Sequence, residues 1–348
     1  MRFMETSPHK KRRLDIHEFV IERVRDKSPH LTEAVKSHFK ISRQAAFKHI
    51  NTLVKEGYLF AAGKTNNRTY ELGKNRFKYL KTVIGPSASE DELWSANFSD
   101  LFKGLKSNVA SICEYGFTEI VNNALDHSEG TQLNIRVDVS PKEIEISIAD
   151  NGVGIFNKIQ RELKLPNPRL SLLELSKGKY TTDPERHTGE GIFFSSKMFD
   201  AFFINSGGLT FEHRNLSKFA SLVPDKSEKA GTQVLMILDP LTKRTTKGVF
   251  DKFTDRNLGF TKTIVPVELA KFEGGNLISR SQGRRLVMRF EKFKFVVLDF
   301  KNVSTIGRPF ADEVFRVFAR KHKSTSLVSV NETKDIRDTI KSIQRNGL

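Results

Sequence analysis

The chain has 348 residues, with 58 Lys and Arg against 41 Asp and Glu, which gives a formal net charge of +17. This length exceeds one ordinary domain and suits two or three. A single cysteine, Cys113, excludes an internal disulfide and a four-cysteine metal site. The longest apolar runs, such as residues 234–238, are too short to cross a bilayer, and no apolar signal core follows the basic start. We therefore expect a cytoplasmic, multidomain protein with no membrane span.

The positive charge is concentrated in the first block of the chain, residues 1–80. This block holds 18 Lys and Arg and 8 Asp and Glu, a net of +10, whereas the remainder holds 40 and 33. Because neutralisation of phosphates drives binding to nucleic acids, the block predicts a nucleic-acid contact. The alternative is that the basic run at residues 10–13 only keeps the chain in solution.

Apolar spacing in this first block predicts three short helices and a hairpin. The helices are expected over residues 14–24, 31–39 and 42–56, and the strands over residues 58–61 and 69–72. In the third helix one side is apolar and the opposite side carries amides and cations. Such groups read base edges and phosphates in a major groove.

Three helices followed by a hairpin with a basic tip resemble a winged helix-turn-helix domain, most closely over residues 42–72. The resemblance implies that the third helix enters the major groove of double-stranded DNA and that the hairpin touches phosphate. The alternative is a winged helix that docks proteins. The residues expected to contact DNA are Ser42, Arg43, Gln44, Phe47, Lys48 and Asn51 in the helix, and Lys64 and Arg68 in the hairpin.

A polar, Pro/Ser-rich linker is expected at residues 85–92, and the second block, residues 96–240, follows it. Its first motif places Glu119, Asn123 and Asp126 at i, i+4 and i+7 of a predicted helix, so that all three share one face. Carboxylates and an amide on one face suit water activation and Mg²⁺ binding. Taken alone, they are better explained as a solvated helix face.

Three glycine-containing segments follow the helix. A predicted hairpin ends at residues 149–155, residues 187–193 open a helix, and Gly231 and Thr232 open a strand. Glycine permits close approach of the backbone to a ligand, and a helix N-terminus with glycines suits an anion. Together with the first motif, they predict a pocket for a phosphorylated ligand.

These four segments, in this order, resemble the GHKL ATPases, which include gyrase, the heat-shock chaperone type, histidine kinases and MutL. The resemblance implies an ATP site in which Glu119 polarises the attacking water or hydroxyl and Asn123 holds Mg²⁺. It also implies that Asp150 accepts a hydrogen bond from the adenine amino group. The other residues that it implies in nucleotide binding are Asp126, His127, Gly152, Gly154, Ile155, Thr188, Gly189, Glu190, Gly191, Ile192 and Thr232.

Two features of this block bear on its activity. Glu190 lies between the two glycines of the third motif, where a carboxylate would repel phosphates unless it points outward. Residues 176–186 lie where the family has its ATP lid, and we interpret them as a mobile cover whose cations approach phosphates. These cations are Lys177, Lys179 and Arg186. The short span before the pocket holds no dimerising histidine-kinase hairpin.

The third block, residues 262–348, alternates strands and helices, which implies an α/β layer with the helices on one face. The run at residues 297–306 resembles the central strand and turn of STAS domains, as in anti-anti-sigma factors. The block as a whole resembles the STAS-like domain of unknown function found behind GHKL ATPases. Arg308 and Pro309 stand where phosphorylated STAS domains carry a serine. We therefore interpret the block as a docking or regulatory module for a protein partner.

The expected fold class is multidomain α+β: a winged helix-turn-helix, a GHKL (Bergerat) α/β sandwich and a STAS-like α/β domain. We predict a regulator in which ATP and Mg²⁺ control DNA binding. The alternative is a serine/threonine protein kinase of the anti-sigma type that acts on a partner protein. A DNA-processing ATPase ranks last, because no transducer domain or nuclease carboxylate cluster stands out. Whether ATP is hydrolysed, transferred or only sensed stays open, as does a homodimer.

Overall fold

The computed structural model describes most of the chain. The described residues are 8–27, 29–63, 68–85, 88–180, 189–215, 220–224, 230–255, 259–271 and 276–345. Within them, one hydrophobic core lies in the N-terminal block, and a second is shared by the central and C-terminal blocks. No helix in these ranges is both long enough and apolar enough to span a membrane.

The N-terminal block has the three helices and the hairpin that the sequence predicts. The Ser42 side chain accepts a hydrogen bond from the main-chain N–H of Ala45 at 3.1 Å, so it caps the third helix as expected. Ala46, Ile50 and Leu53 form its buried stripe. The elements are α1 (Pro8–Arg25), α2 (Leu31–Phe39), α3 (Arg43–Lys55), β1 (Leu59–Ala62) and β2 (Thr69–Leu72).

The central block is built on a seven-stranded sheet whose neighbouring strands are all antiparallel. The strands are β3 (Arg76–Val83), β4 (Gln132–Val139), β5 (Ile144–Asp150), β6 (Ala201–Ser206), β7 (Leu209–Arg214), β8 (Ala220–Pro224) and β9 (Thr232–Leu238). Their order across the sheet is β3-β4-β5-β9-β6-β7-β8. The hairpin predicted through Pro141 is the pair β4 and β5.

A layer of helices covers this sheet and completes the expected α/β sandwich. The long helix α5 contacts β5, whereas α8 contacts β6, β7 and α5 itself. Gly116 lets the two layers meet closely, because a Cβ at this position in α5 would overlap the ring of Phe199. The helices of the block are α4 (Glu90–Asn97), α5 (Ser107–His127), α6 (Ile155–Glu162), α7 (Leu170–Lys177) and α8 (Gly191–Met198).

The edge strand β3 belongs to the central sheet although most of it falls in the block assigned to residues 1–80. It pairs with β4 over its whole length, from Arg76 opposite Val139 to Val83 opposite Gln132. The expected boundary at residue 80 therefore falls inside a strand. The expected linker at residues 85–92 is correspondingly shorter, because α4 begins at Glu90 and is capped by Ser89.

Side chains also tie the N-terminal block to this sheet. The Tyr58 hydroxyl donates to Asp138 Oδ1 on β4 at 2.6 Å. On the outer edge, the main-chain N–H of Tyr79 in β3 donates to Glu18 Oε2 on α1 at 2.5 Å. The N-terminal block is thus joined to β3 and β4 of the central sheet by two hydrogen bonds from different parts of the block.

The C-terminal block has a parallel three-stranded sheet of order β10-β11-β12. Its elements, after the connecting helix α9 (Thr246–Phe253), are β10 (Lys262–Pro266), α10 (Arg280–Val287), β11 (Phe295–Asp299), α11 (Arg308–Asp312), β12 (Ser326–Val330) and a C-terminal helix (Lys334–Arg345). A π-helical segment, Glu313–Phe318, continues α11. Apolar spacing in this block predicts a helix over residues 277–293, but α10 is shorter. Ser279 and Gln282 form a capping box at its start, and Arg289, just after its end, takes a left-handed φ of 68°.

An aromatic cluster joins the central and C-terminal blocks. The two phenylalanines that follow the third glycine motif, Phe193 and Phe194, are buried in it. The ring centroids of Phe193 and Phe260 lie 4.6 Å apart, and those of Phe260 and Phe293 lie 5.3 Å apart. Ring pairs at this spacing pack favourably, so these aromatic contacts hold α8 against the C-terminal block.

Candidate functional site

A cavity of about 330 Å³ lies between α5, the end of β5, and the starts of α6 and α8. This volume is in the range of small-molecule sites. It brings together residues from all four segments that the sequence singled out. The predicted residues that line it are Glu119, Asn123, His127, Asp150, Gly154, Ile155, Gly189, Glu190, Gly191, Ile192 and Thr232.

Two predicted residues do not line the cavity. Asp126 is exposed near the end of α5 and outside the cavity lining, so its contact with the ligand stays a prediction. Successive helical residues are turned by about 100° around the axis, and it is His127 that faces the cavity. Gly152 also lies outside the lining, and Thr188 lies outside the described residues.

Gly152 supports the backbone around the cavity and does not line the cavity itself. A Cβ at this position would overlap the carbonyl oxygen of Ser128, just past the end of α5. The next residue, Val153, donates its main-chain N–H to the same carbonyl at 2.9 Å. The glycine therefore lets the loop after β5 close onto the end of the helix that carries Glu119 and Asn123.

The Glu119 carboxylate lies against the N-terminus of α8. A Cβ at Gly191 would overlap Glu119 Oε2, so only glycine leaves room for this carboxylate. A helix N-terminus favours negative charge. Tyr115, one turn earlier on α5, is hydrogen-bonded to Glu119, and its phenol pKa is raised by burial and then by the nearby carboxylates of Glu119 and Glu190. Glu119 is thus an oriented carboxylate in the cavity wall beside the start of α8.

Asn123 is held by its own helix. Its Nδ2 donates to the main-chain oxygen of Glu119 at 2.7 Å. This bond uses the donor end of the amide and leaves its oxygen as the group for a cation, since an amide oxygen is a typical Mg²⁺ ligand. No cluster of three His, Cys, Asp or Glu suited to a metal occurs in the described ranges.

Asp150 is a partly buried acceptor in the cavity wall. Its Oδ1 accepts from the main-chain N–H groups of Gly152 and Thr232, at 2.8 and 3.2 Å. Burial raises its pKa, and these backbone hydrogen bonds act in the opposite direction. A carboxylate has about four acceptor positions, so capacity remains for a ligand N–H group. The Thr232 hydroxyl in turn accepts from the N–H of Ile155 at 2.9 Å, which fixes the start of α6.

Glu190, the unusual residue of the third motif, does line the cavity. Burial raises the pKa of its carboxyl group, and the nearby ammonium of Lys179 acts in the opposite direction. Burial favours the neutral acid, which does not repel a phosphate, and where the carboxylate is ionised the nearby ammonium of Lys179 offsets part of its charge. The residue is therefore compatible with an anionic ligand.

The expected lid residues need a correction where the structure describes them. Ser176 and Lys177 are the last residues of α7 and are buried, and the Lys177 ammonium is 2.6 Å from Glu174 Oε1. Lys177 is therefore committed to a structural ion pair and does not approach the cavity. Residues 181–188, with Arg186, lie outside the described residues.

Sequence reasoning missed several residues of the cavity wall. Lys158 on α6 lies there, and its ammonium donates to the His127 main-chain oxygen at 2.8 Å. Leu175, Gly178 and Tyr180 also line the wall. The signal for Lys158 was its position one turn after Gly154, whereas nothing local distinguished the other three.

The residues expected to contact DNA lie on one side of the N-terminal block. On α3, Arg43, Gln44 and Lys48 are exposed, Phe47 is 41% exposed and Asn51 is partly buried. The guanidinium of Arg68 lies over the Phe47 ring, 5.7 Å from its centroid, so the hairpin and the helix form one surface. Lys64 lies outside the described residues.

Comparison with known families covers two of the three blocks. Residues 113–241 match the model of the histidine kinase-, DNA gyrase B- and HSP90-like ATPases. Residues 282–337 match the model of a STAS-like domain of unknown function. No curated protein matches the chain. The chain thus contains an ATPase domain similar to those of histidine kinases, gyrase B and HSP90, followed by a STAS-like domain.

Proposed function

We propose that the protein is a nucleotide-dependent regulator that binds Mg²⁺ and ATP in the central domain and double-stranded DNA through the N-terminal block. The observation that carries the proposal is the convergence of Glu119, Asn123, Asp150 and Gly191 on one cavity within the matched ATPase region. When bound, Mg·ATP would supply a metal-bridged triphosphate with a transferable γ-phosphoryl group.

Different residues of the cavity would bind the base, the phosphates and the cation of such a ligand. Asp150 accepts the hydrogen bond of the base, and the N-terminus of α8 at Gly191 receives the phosphates. Asn123 supplies an oxygen ligand to the cation. Glu119 is placed to orient a nucleophile, because its carboxylate adjoins the start of α8. The donor set fits the group that the family implies.

The proposal of a DNA contact is supported by charge and by shape. The exposed cations Arg43 and Lys48 lie beside the partly exposed ring of Phe47 at the start of α3. An α-helix with fork donors near its N-terminus suits the major groove, and the net charge of the block favours phosphate. We expect Arg43 and Gln44 to face base edges and Lys48 to contact phosphate.

Control of DNA binding by ATP would act through a few elements that connect the cavity to the N-terminal block. Helix α5, which carries Glu119 and Asn123, is followed almost directly by β4. Strand β4 pairs with β3 and accepts the hydrogen bond of Tyr58 on Asp138. ATP changes DNA affinity only if it binds the two states of this connection unequally.

The test measures both ligands on the full chain. Calorimetry gives Mg·ATP affinity for the wild type, Asp150→Asn and Glu119→Ala, and fluorescence anisotropy gives DNA affinity with and without Mg·ATP. We expect Asp150→Asn to abolish ATP binding and Glu119→Ala to preserve it. Replacement of Lys48 by Ala should weaken DNA binding and reduce its salt slope by about 1. Lys321→Ala, an exposed lysine of the C-terminal block, is the matched control.

The results separate the parts of the proposal. Absence of ATP binding in the wild type would refute the nucleotide site, and DNA affinity that is the same with and without ATP would refute the regulation. Transfer of label from the γ-phosphate to a protein would instead indicate the kinase alternative. Transfer within the chain is disfavoured, since Arg308 and Pro309 occupy the start of α11.

A further inference from the structure

Helix α7 is buried on all sides although it carries charged residues. Every residue from Leu170 to Lys177 is buried, and the helix packs against α6 and α8 of the ATPase domain and against β10 of the STAS-like domain. Glu174 is 1% exposed and Lys177 is 0% exposed. Charges in such a place are stable only when they are paired and hydrogen-bonded.

The STAS-like domain supplies those partners. The Lys177 ammonium lies 2.6 Å from Glu174 Oε1 and donates to the main-chain oxygens of Arg285 and Met288, at 3.1 and 2.9 Å. Its three hydrogens thus have three acceptors. Arg289 Nη1 contacts Glu174 Oε2 at 3.1 Å and closes a buried triad. Two members of the triad come from the ATPase domain and one comes from the STAS-like domain.

Arg289 also holds the segment that follows α7. Its Nη2 donates to the main-chain oxygen of Gly178 at 2.8 Å, and its guanidinium lies over the Tyr180 ring, 5.4 Å from the centroid. The backbone is fixed at the same place, because the Thr263 hydroxyl donates to the Lys177 oxygen at 2.7 Å. One arginine side chain therefore connects a buried helix, a glycine turn and an aromatic ring.

The held segment is a wall of the nucleotide cavity. Leu175, Gly178 and Tyr180 line the cavity directly. Tyr180 also adjoins the third glycine motif, since a Cβ at Gly189 would overlap the Tyr180 backbone. The ATPase domain does not fix this wall alone, and its geometry depends on contacts with the STAS-like domain.

We propose that Arg289 is a positioning residue for the nucleotide site, through which the STAS-like domain completes the ATP pocket in cis. The inference rests on the proposed ATP binding and adds the residue that couples the two domains. Because coupling is reciprocal, a protein partner that displaces residues 285–289 changes ATP affinity by the factor by which ATP changes the affinity of that partner. The STAS-like domain would then act as the input of the ATPase.

The charge balance of the triad allows Arg289 to be replaced as a direct test of this role. Glu174 has one negative charge, whereas Lys177 and Arg289 have two positive charges between them. Replacement of Arg289 by Ala leaves the Glu174–Lys177 pair neutral and leaves the three hydrogen bonds of Lys177 in place. Arg280→Ala is the matched control, because Arg280 forms an exposed ion pair with Asp312 in the same domain, with 2.9 Å between Nη2 and Oδ2.

The experiment measures Mg·ATP dissociation constants and melting curves of the full chain for the wild type, Arg289→Ala, Arg289→Lys, Tyr180→Ala, Arg289→Ala/Tyr180→Ala and Arg280→Ala. Arg289→Ala should weaken ATP binding by about tenfold, and Arg280→Ala should change it by less than about twofold. Arg289→Lys should give an ATP affinity between those of the wild type and Arg289→Ala. A lysine ammonium lacks the planar guanidinium with which Arg289 contacts Glu174 and Gly178 at the same time. The double variant should be little weaker than either single variant, because Arg289 acts through Tyr180.

Hydrogen exchange adds a measurement that would not change if Arg289 had a purely structural role. Mg·ATP should protect main-chain amides of residues 285–292 in the wild type, and this protection should be lost in Tyr180→Ala. Unchanged ATP affinity in a folded Arg289→Ala would overturn the inference, as would additive effects in the double variant. If Arg289→Ala does not fold, Arg289→Lys decides by the same criteria. Absence of ATP binding in the wild type would instead count against the proposed function.

Discussion

Gly152 shows how a single residue can decide whether the nucleotide site assembles. Its φ is not in the left-handed region, so the requirement is steric: a side chain would collide with the carbonyl oxygen of Ser128. A backbone atom cannot move away as the end of a flexible side chain can. The loop after β5 would have to withdraw from α5 and take Asp150 with it.

We expect Gly152→Ala to destabilise the protein by about 3 kcal/mol, since overpacking against backbone is costly. Gly85→Ala is the matched control, because a Cβ at Gly85 meets nothing within 4 Å among the described residues and its φ is not positive. That control should stabilise by about 0.5 kcal/mol through the unfolded chain. Denaturant unfolding of both variants checks the difference, and equal midpoints would contradict it.

The site residues that sequence reasoning found are those whose roles are local. Glu119 and Asn123 are one turn apart on one helix, so their spacing predicts a shared face, whereas their roles and that of Asp150 are implied by the resemblance to the GHKL ATPases. Asp126 shows the limit of this reasoning. It shares a helix face with Glu119 and Asn123, but only part of that face lines the cavity. Tyr180 escaped notice because its role depends on Arg289, which lies far away in sequence.

At the scale of elements, the contact between α1 and β3 contains a buried acid. Burial raises the pKa of Glu18 to about 7 from an ordinary value of 4.5, although the N–H of Tyr79 acts in the opposite direction. Between these two pH values the folded chain holds a proton that the unfolded chain has released. The contribution of Glu18 to the free energy of unfolding therefore falls as pH rises from about 4.5 to about 7, and it stays low above that range.

We expect Glu18→Gln to be more stable than the wild type at pH 8, by up to about 3 kcal/mol, because the amide oxygen still accepts from Tyr79 without ionising. The advantage should shrink as pH falls to 4.5. Melting temperatures across this pH range provide the measurement. Glu114→Gln, which changes an exposed carboxylate on α5, is the control and should follow the wild type. A pH-independent difference for Glu18→Gln would show that ionisation is not its cause.

Helix α7 explains why the element-scale prediction failed beside the pocket. Ser176 and Lys177 are polar and predict the start of the lid expected over residues 176–186. The structure places them in α7 instead, and Arg289, the partner of Glu174 in this helix, lies 115 residues after it, so no local pattern indicates the contact. The strand β3 was missed for a similar reason, since the strand that it joins begins only at Gln132. Long-range pairing overrides composition in both cases.

At the scale of the whole molecule, the three blocks are linked in series through the ATPase domain. The STAS-like domain holds α7 beside the cavity, and the N-terminal block shares β3 with the central sheet. The cavity lies between these two connections, against α5. This arrangement suits a protein in which one domain senses a partner, the second binds nucleotide and the third responds.

The link on the DNA side can be weakened without changing either binding surface. Tyr58→Phe removes the 2.6 Å hydrogen bond to Asp138, and Asp138 keeps its ion pair with Arg136, so the cost to folding is about 1 kcal/mol. We expect ATP affinity and ATP-free DNA affinity to stay within about twofold of the wild type. The change in DNA affinity caused by Mg·ATP should shrink, because the hairpin is less firmly joined to β4.

Anisotropy titrations of DNA with and without Mg·ATP measure this difference as a ratio of dissociation constants. Tyr70→Phe is the control, since it removes a hydroxyl of the same hairpin that makes no hydrogen bond to the described residues of the central sheet. A wild-type ratio of about 5 or more that survives in Tyr58→Phe would show that the signal travels through β3 pairing alone. A ratio that collapses in Tyr58→Phe and persists in Tyr70→Phe would assign the coupling to the Tyr58–Asp138 contact.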